Sequence, residues 1–292
     1  MPPLTIRHVT TYRYRHPVAF GEHRMMLRPR DSHDQRVIEA SLGISPEPSS
    51  LQYVQDAFGN HVAIARFAAT ATELSFESIV SVEHAPAELD LAKTNAPFPV
   101  AYSADEMAEL AQDIRRHHAD ADDQVGHWAR SLLPENSDTG AFDLLNQLSL
   151  AIHRGFAYRR REAKGIQMPV ETLALGHGSC RDFALLMIEA ARSLGFAARF
   201  ASGYLAIALD DSSASAGHGA THAWAQIYLS GAGWVDFDPT SGSVGKASLV
   251  TVAIVRDPGE ALPLHGTFIG SQADTLGMDV RVSVTAHAPP AT

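Results

Sequence analysis

An α+β fold is what this sequence predicts: an N-terminal antiparallel, β-sandwich-like domain over residues 1–90, then a core of helices and sheet with C-terminal strands over residues 91–292. Three observations predict it. Short alternating runs separated by turn signals fill the first ninety residues. From Ser103 the apolar spacing changes to the helical period. Finally, the stretch Gly176–Gly195 holds the only cysteine, Cys180, and continues as an apolar helix; two alternating segments carrying His222 and Asp238 follow it.

In chain order, Leu4–Arg15 alternates and is expected to end before Pro17. Val37–Ile44 is a second strand, closed by Ser45-Pro46-Glu47-Pro48. Asp56-Ala57-Phe58-Gly59-Asn60-His61 is a turn between strands at Leu51–Val54 and Val62–Phe67. Glu73–Glu83 alternates again. Around Leu91–Tyr102 the strand pattern stops in a linker-like stretch. Ser103 with Glu106 three residues on makes a capping box, and Met107, Leu110, Ala111 and Ile114 share one face of the helix it opens. A second helix covers Asp122–Leu133 and is stopped by Pro134; a third runs from Ala141 to His153. After Gly195, the residue expected to stop the cysteine helix, Ala197–Ala208 reads as a strand. The polar run Asp210–Ala220 suggests a mobile lid, with His218 in it as a weaker candidate base. Val252–Val255 and Met278–Val284 are closing strands, assigned to the core.

Composition narrows the function. Hydrophobic residues at 45% and charged residues at 19% describe a globular chain, and a net charge of −10 argues against a nucleic-acid surface. The basic run Arg159-Arg160-Arg161 reads as a solvated face. One cysteine makes neither an internal disulfide nor a zinc cluster, and the 15 histidines are scattered. No His-Glu-x-x-His and no acidic calcium loop is present, so neither metal nor cofactor is expected. With no apolar leader and no run of spanning length, the expectation is a cytoplasmic protein without a membrane partner. Oligomeric state is not readable.

The chemistry gathers at Cys180. A Gly-x-Gly-Ser approach and the polar neighbours Arg181 and Asp182 suggest that the thiol is presented rather than sealed in a core. At a helix start, unpaired N–H groups and the helix dipole favour a thiolate over a thiol. A nucleophilic thiol needs a base and a carboxylate to orient that base. His222 and Asp238 follow in order, with Asp236 as a rival carboxylate. Strand parity supplies a test: His222 and Asp238 can meet only if the hairpin between them pairs residues whose numbers sum to an even value, or contains a bulge. Pairing Tyr228 with Trp234 would set Asp238 opposite Trp224, diagonal to His222.

These motifs resemble a known family. Gly-x-Gly-x-Cys-Arg-Asp, His-Ala-Trp and Gly-x-Gly-Trp-x-x-Phe-Asp-Pro-Thr are similar to the bacterial transglutaminase-like family, with its papain-like core. His8-x-Thr10-x-Tyr12-x-Tyr14, Leu27-Arg28-Pro29-Arg30 and Asp56-x-Phe58-Gly59-Asn60 resemble the β region that accompanies that core. The resemblance implies a helix bearing Cys180 packed on an antiparallel sheet bearing His222 and Asp238, these three forming a catalytic triad. It also implies action on the amide bonds of a protein or peptide substrate through a thioester, with hydrolysis slightly favoured over amine transfer. A binding or scaffold protein that keeps the fold without activity is the alternative. Tyr158 and Gln167 are candidate oxyanion donors, and Tyr12, Tyr14 and Arg28 candidate cleft residues, although packing explains all five more simply.

Overall fold

Strand β1 (Leu4–Met25) is the spine of the N-terminal sheet. The computed structural model describes residues 3–90, 94, 96–133, 140–160, 165–206 and 221–286. Around β1 lie β2 (Gln35–Ser45), β3 (Ser50–Gln55), β4 (His61–Arg66) and β5 (Thr70–His84), in the order β2-β5-β1-β4-β3. The turn before β4 forms as its composition demands, with Asp56 Oδ1 accepting from the N–H groups of Phe58 and Asn60 at 2.9 and 2.8 Å. One expectation fails here: β1 does not stop at Pro17. Its ladder to β5 breaks between Arg13 and Val18, so the proline sits where no N–H is required and the strand bends and continues.

The core opens with α1 (Ala104–Ile114), whose capping box of Ser103 and Glu106 is present. Then come α2 (Gln124–Ser131), α3 (Ala141–Gly155), the two-residue β6 (Ala157–Tyr158), α4 (Pro169–Leu175), β7 (His177–Gly178) and α5 (Cys180–Ser193). Gly195, at φ +89°, ends α5: its N–H reaches Arg192 O and that of Phe196 reaches Ala191 O, the paired bonds of a Schellman stop. A five-stranded sheet follows, built from β8 (Ala198–Leu205), β9 (Thr221–Leu229), β10 (Gly233–Asp238), β11 (Ser243–Val244) and β12 (Leu249–Val255) in the order β11-β10-β9-β8-β12. Ala223, Ala225 and Ile227 on β9 pack with Phe183, Leu186 and Met187 of α5 in one buried cluster. The even-numbered residues of β9, His222 among them, therefore face away from the body of that helix.

The last strands, β13 (Leu264–Ile269) and β14 (Thr275–Ala286), correct the expected domain division. Both pair with β1, β14 along Leu4–Tyr14 and β13 along Ala19–Met25, so they complete the N-terminal sheet and not the core. The two units are joined at β12, the edge of the core sheet. Gln35 brackets Thr251, accepting from its N–H at 2.9 Å and donating to its carbonyl at 2.7 Å. Asn60 does the same to Ile254, at 2.9 Å each way. Two carboxamides thus stand in for a neighbouring strand and close an edge that would otherwise pair with another chain.

Candidate active site

Cys180 is delivered by a braced turn. Strand β6 pairs with β7 in parallel, Ala157 with His177 and Tyr158 with Gly178, directly before the thiol. Ser179 caps α5, and Cys180 is its first residue. Asp182 holds this geometry: its Oδ2 accepts from Ser179 N and Oγ, both at 2.8 Å, and its Oδ1 from Gln167 N at 2.8 Å. Asp182, a polar neighbour that points to a presented thiol, is itself buried, and tolerated there because its oxygens are satisfied. Arg181 donates to the carbonyls of Pro258 and Ala261 and lies 4.9 Å over the Phe200 ring, which pins the 258–261 turn beside the thiol. Cys180 itself remains partly exposed.

The β9–β10 hairpin has the parity that the pairing of His222 with Asp238 requires. Trp234 pairs with Tyr228 and Phe237 with Ala225, an even sum, and Asp238 falls diagonal to His222. His222 Nε2 lies 2.8 Å from Asp238 Oδ2. Asp238 also accepts from Ser241 Oγ at 2.7 Å and from Thr240 N at 2.9 Å. With Nε2 taken, Nδ1 is the nitrogen left for the hydrogen bond between His222 and Cys180. Burial opposes a charged imidazole, but the hydrogen bonds and charges of Asp238 and Cys180 outweigh it and push the His222 pKa up to about 9. Burial likewise opposes the Asp238 carboxylate, and its bonds to His222, Ser241 and Thr240 hold its pKa below the usual range.

The rival carboxylate is committed elsewhere. Asp236 Oδ1 accepts from Trp224 Nε1 and from Gln226 Nε2, the latter at 2.9 Å. Burial raises its pKa. The Trp224 indole in turn stacks on His222, with centroids 6.3 Å apart at 24°. Asp236 fixes the plate on which the imidazole rests, and Asp238 fixes the imidazole.

Comparison with known proteins now adds to the geometry. Residues 4–83 match the family model of the bacterial transglutaminase-like N-terminal region, and residues 127–239 that of the transglutaminase-like superfamily. Residues 127–239 are thus similar to a transglutaminase-like core, and residues 4–83 to the N-terminal region that bears the family's name. An uncharacterised protein of Mycobacterium leprae is 26% identical over 304 residues, covering 98% of this chain and 99% of that one. A crystal structure from Cytophaga hutchinsonii, of a protein named as a candidate cysteine protease, superposes with a TM-score of 0.71 at 18% identity over 99% of this chain and 93% of its own. At that identity the likeness is one of fold. Cys180, His222 and Asp238 all fall inside the matched transglutaminase-like core.

The other sequence candidates divide. Gln167 is not free to donate to an oxyanion, because its side-chain amide donates to Thr172 Oγ1 at 3.1 Å and to His177 O at 2.9 Å. Tyr158 is exposed; its phenol pKa is raised by burial of part of the ring and then by the charge of Cys180, which places it near the thiol. Tyr14 packs against Phe20 and Phe268 in the N-terminal core, and Arg28 lines a separate cavity in that region. The proposed lid, Asp210–Ala220 with His218, has its loop outside the described residues, as does Arg161. Sequence reasoning missed Met26, which lines the thiol cleft of about 220 Å³ from the N-terminal region, with Met26 N bonded to Pro263 O at 2.9 Å. It also missed Thr240 and Ser241, although a hydroxyl residue two or three places after an aspartate is a readable turn signal. Gly203, on the cleft wall, leaves no room for substitution: a Cβ there would lie 1.9 Å from Val250 O. Among the described residues no group of three or more His, Cys, Asp or Glu side chains is arranged to hold a metal.

Proposed function

We propose that this protein is a thiol enzyme that cleaves amide bonds in proteins or peptides, with Cys180 as nucleophile, His222 as base and acid, and Asp238 as its orienting carboxylate. The observation that carries this reading is the even-parity hairpin, which brings His222 Nε2 to 2.8 Å from Asp238 Oδ2 while the other ring nitrogen faces Cys180. His222 takes the Cys180 proton, and the thiolate attacks the amide carbon. As the first residue of α5, Cys180 has a backbone N–H with no partner within the helix, and it receives the developing oxyanion. The imidazolium gives its proton to the leaving amine, and a thioester remains on Sγ.

Resolution of the thioester by water is favoured over transfer to an amine. Excluding water needs aromatic walls, and among the described lining residues of the cleft the one aromatic ring besides the imidazole is Tyr204. Trp224 lies behind His222, and Trp234 lines a different groove. The test exploits the single cysteine, since any thiol label reports this site. Alkylation of Cys180 near neutral pH is expected to slow about tenfold or more in His222→Ala, because a thiol without its base is mostly protonated there. Glutamine-containing peptides, with and without an added amine, then separate hydrolysis from transfer. Equal alkylation rates in both proteins, with no turnover, would put the scaffold reading in its place.

A further inference from the structure

A second groove, of about 740 Å³, opens where the N-terminal region meets the core sheet, and it shares no lining residue with the thiol cleft. Arg30, Arg199 and Trp234 line it. Arg199 lies 3.8 Å over the Trp234 ring, and its Nε donates to Gln226 Oε1 at 2.9 Å. Arg30 Nη1 donates to Phe58 O at 2.8 Å and to the Asn60 side chain. All of these acceptors are neutral. Among the described residues neither guanidinium forms an ion pair.

Five acids line the groove; Glu88 and Asp90 are exposed, and the others are engaged elsewhere. Asp34 holds Lys246 at 2.8 Å, and Asp31 faces Arg28 and accepts from Val37 N. Asp236 is taken by Trp224 and Gln226, and Asp113 by Arg256 at 3.1 Å. Asp113 and Asp236 act on Arg199 only across space, where Arg30 opposes them; burial, the largest influence, lowers its pKa to about 10. Two partly buried guanidiniums lining one groove without a bonded counter-ion, Asp56 acting on Arg30 only across space, are a costly arrangement that an anion would relieve. The guanidinium fork matches the oxygens of a carboxylate or phosphate, and among the described residues no hydrogen bond takes either Nη group of Arg199.

We propose that this groove is an oxyanion-binding site, in which the carboxylate or phosphate of a small ligand takes the Nη donors of Arg199, faces Arg30 and packs against Trp234. The site stands apart from the thiol chemistry and does not depend on it.

Intrinsic tryptophan fluorescence and thermal unfolding, titrated with glutarate and with inorganic phosphate at constant ionic strength, test the proposal. A saturable emission change that Trp234→Phe removes, with a rise in Tm, is expected for at least one of the two, and which one identifies the ligand chemistry. Arg199→Lys keeps the charge but loses the fork, and should weaken binding roughly tenfold. Arg30→Gln, at a half-buried position, should weaken it severalfold and serves if the Arg199 variant does not fold. Alkylation of Cys180 in the same samples reports an intact core. No saturable response to either anion in the folded protein, or equal affinity in wild type and both variants, would overturn the assignment.

Discussion

Two ends of one hairpin make an instructive comparison. Asp236 and Asp238 lie two residues apart on β10, point to the same face, and are both almost fully buried. Their pKa values nevertheless move in opposite directions. At the turn end, Asp236 accepts from an indole and a carboxamide and has Lys246 Nζ 4.0 Å away; with Asp34 opposing, these do not offset burial, and its pKa rises. At the open end, Asp238 meets an imidazole that can carry charge, a hydroxyl and a backbone N–H, and its pKa falls. Burial is common to both; what differs is whether a group able to carry positive charge is bonded directly to the carboxylate, as His222 is to Asp238 at 2.8 Å, or stands off at 4.0 Å, as Lys246 does from Asp236. One carboxylate is suited to holding a ring still, the other to sharing a proton with it.

The sharpest way to break this comparison is to alter the open end. Asp238→Asn should reduce amide cleavage by about three orders of magnitude while leaving the fold in place, because the amide cannot hold the imidazolium. In the same variant, nuclear magnetic resonance titration of His222 should show its pKa dropping from about 9 towards the ordinary histidine value. A His222 that still titrates near 9 without Asp238 would show that the thiol alone sets its charge.

Next in size comes the turn end. Asp236→Ala orphans Trp224 Nε1 and Gln226 Nε2 and should cost about 2 kcal/mol in denaturant unfolding. Asp236→Asn, which keeps an acceptor oxygen, should cost less and change Cys180 alkylation by no more than about twofold. If Asp236→Asn slowed alkylation as much as Asp238→Asn, the division of labour between the two acids would be wrong.

Dependence on pH gives a third test. The His222 pKa is raised on folding, so its contribution to stability is full below its unfolded value of 6.5 and is lost as pH rises through about 9. That of Asp238 is lowered, so its contribution is present above 3.8 and is lost as pH falls through its folded value. Urea unfolding should therefore show the pair stabilising most between these limits, and His222→Ala should flatten the loss on the alkaline side. The smallest effect is expected from Ser241→Ala, which removes one of the bonds to Asp238 Oδ2: about 1 kcal/mol, with alkylation slowed only a fewfold.

Much of the site was legible in the sequence because strands have a period of two. Parity alone allowed His222 and Asp238 to meet, and the hairpin register agrees. Parity could not separate Asp236 from Asp238, since both lie on the same face. That distinction needed the donors that sequence order does not place, Trp224 and Gln226 on one side and Ser241 on the other. Helix ends were readable from local signals such as Ser103 with Glu106 and Gly195. The partners of β13 and β14 were not, because alternation identifies a strand but not its neighbour, and Leu4 pairs with Ala286 almost the whole chain away. Gln167 failed as an oxyanion donor for a similar reason: a carboxamide near the nucleophile says nothing about which acceptors it already serves.

The pairing of β1 with β14 also sets an order of assembly on the ribosome. Strand β1 is synthesised before the core, yet its hydrogen-bond partners at 264–286 follow only after β8–β12 have been completed. The helix bearing Cys180 and the hairpin bearing His222 and Asp238 are thus available to fold while the N-terminal sheet still lacks two strands. Met26 and Pro263, joined across the mouth of the thiol cleft, meet only at that late stage. During synthesis the thiol and its base come first, and the wall that encloses them comes last.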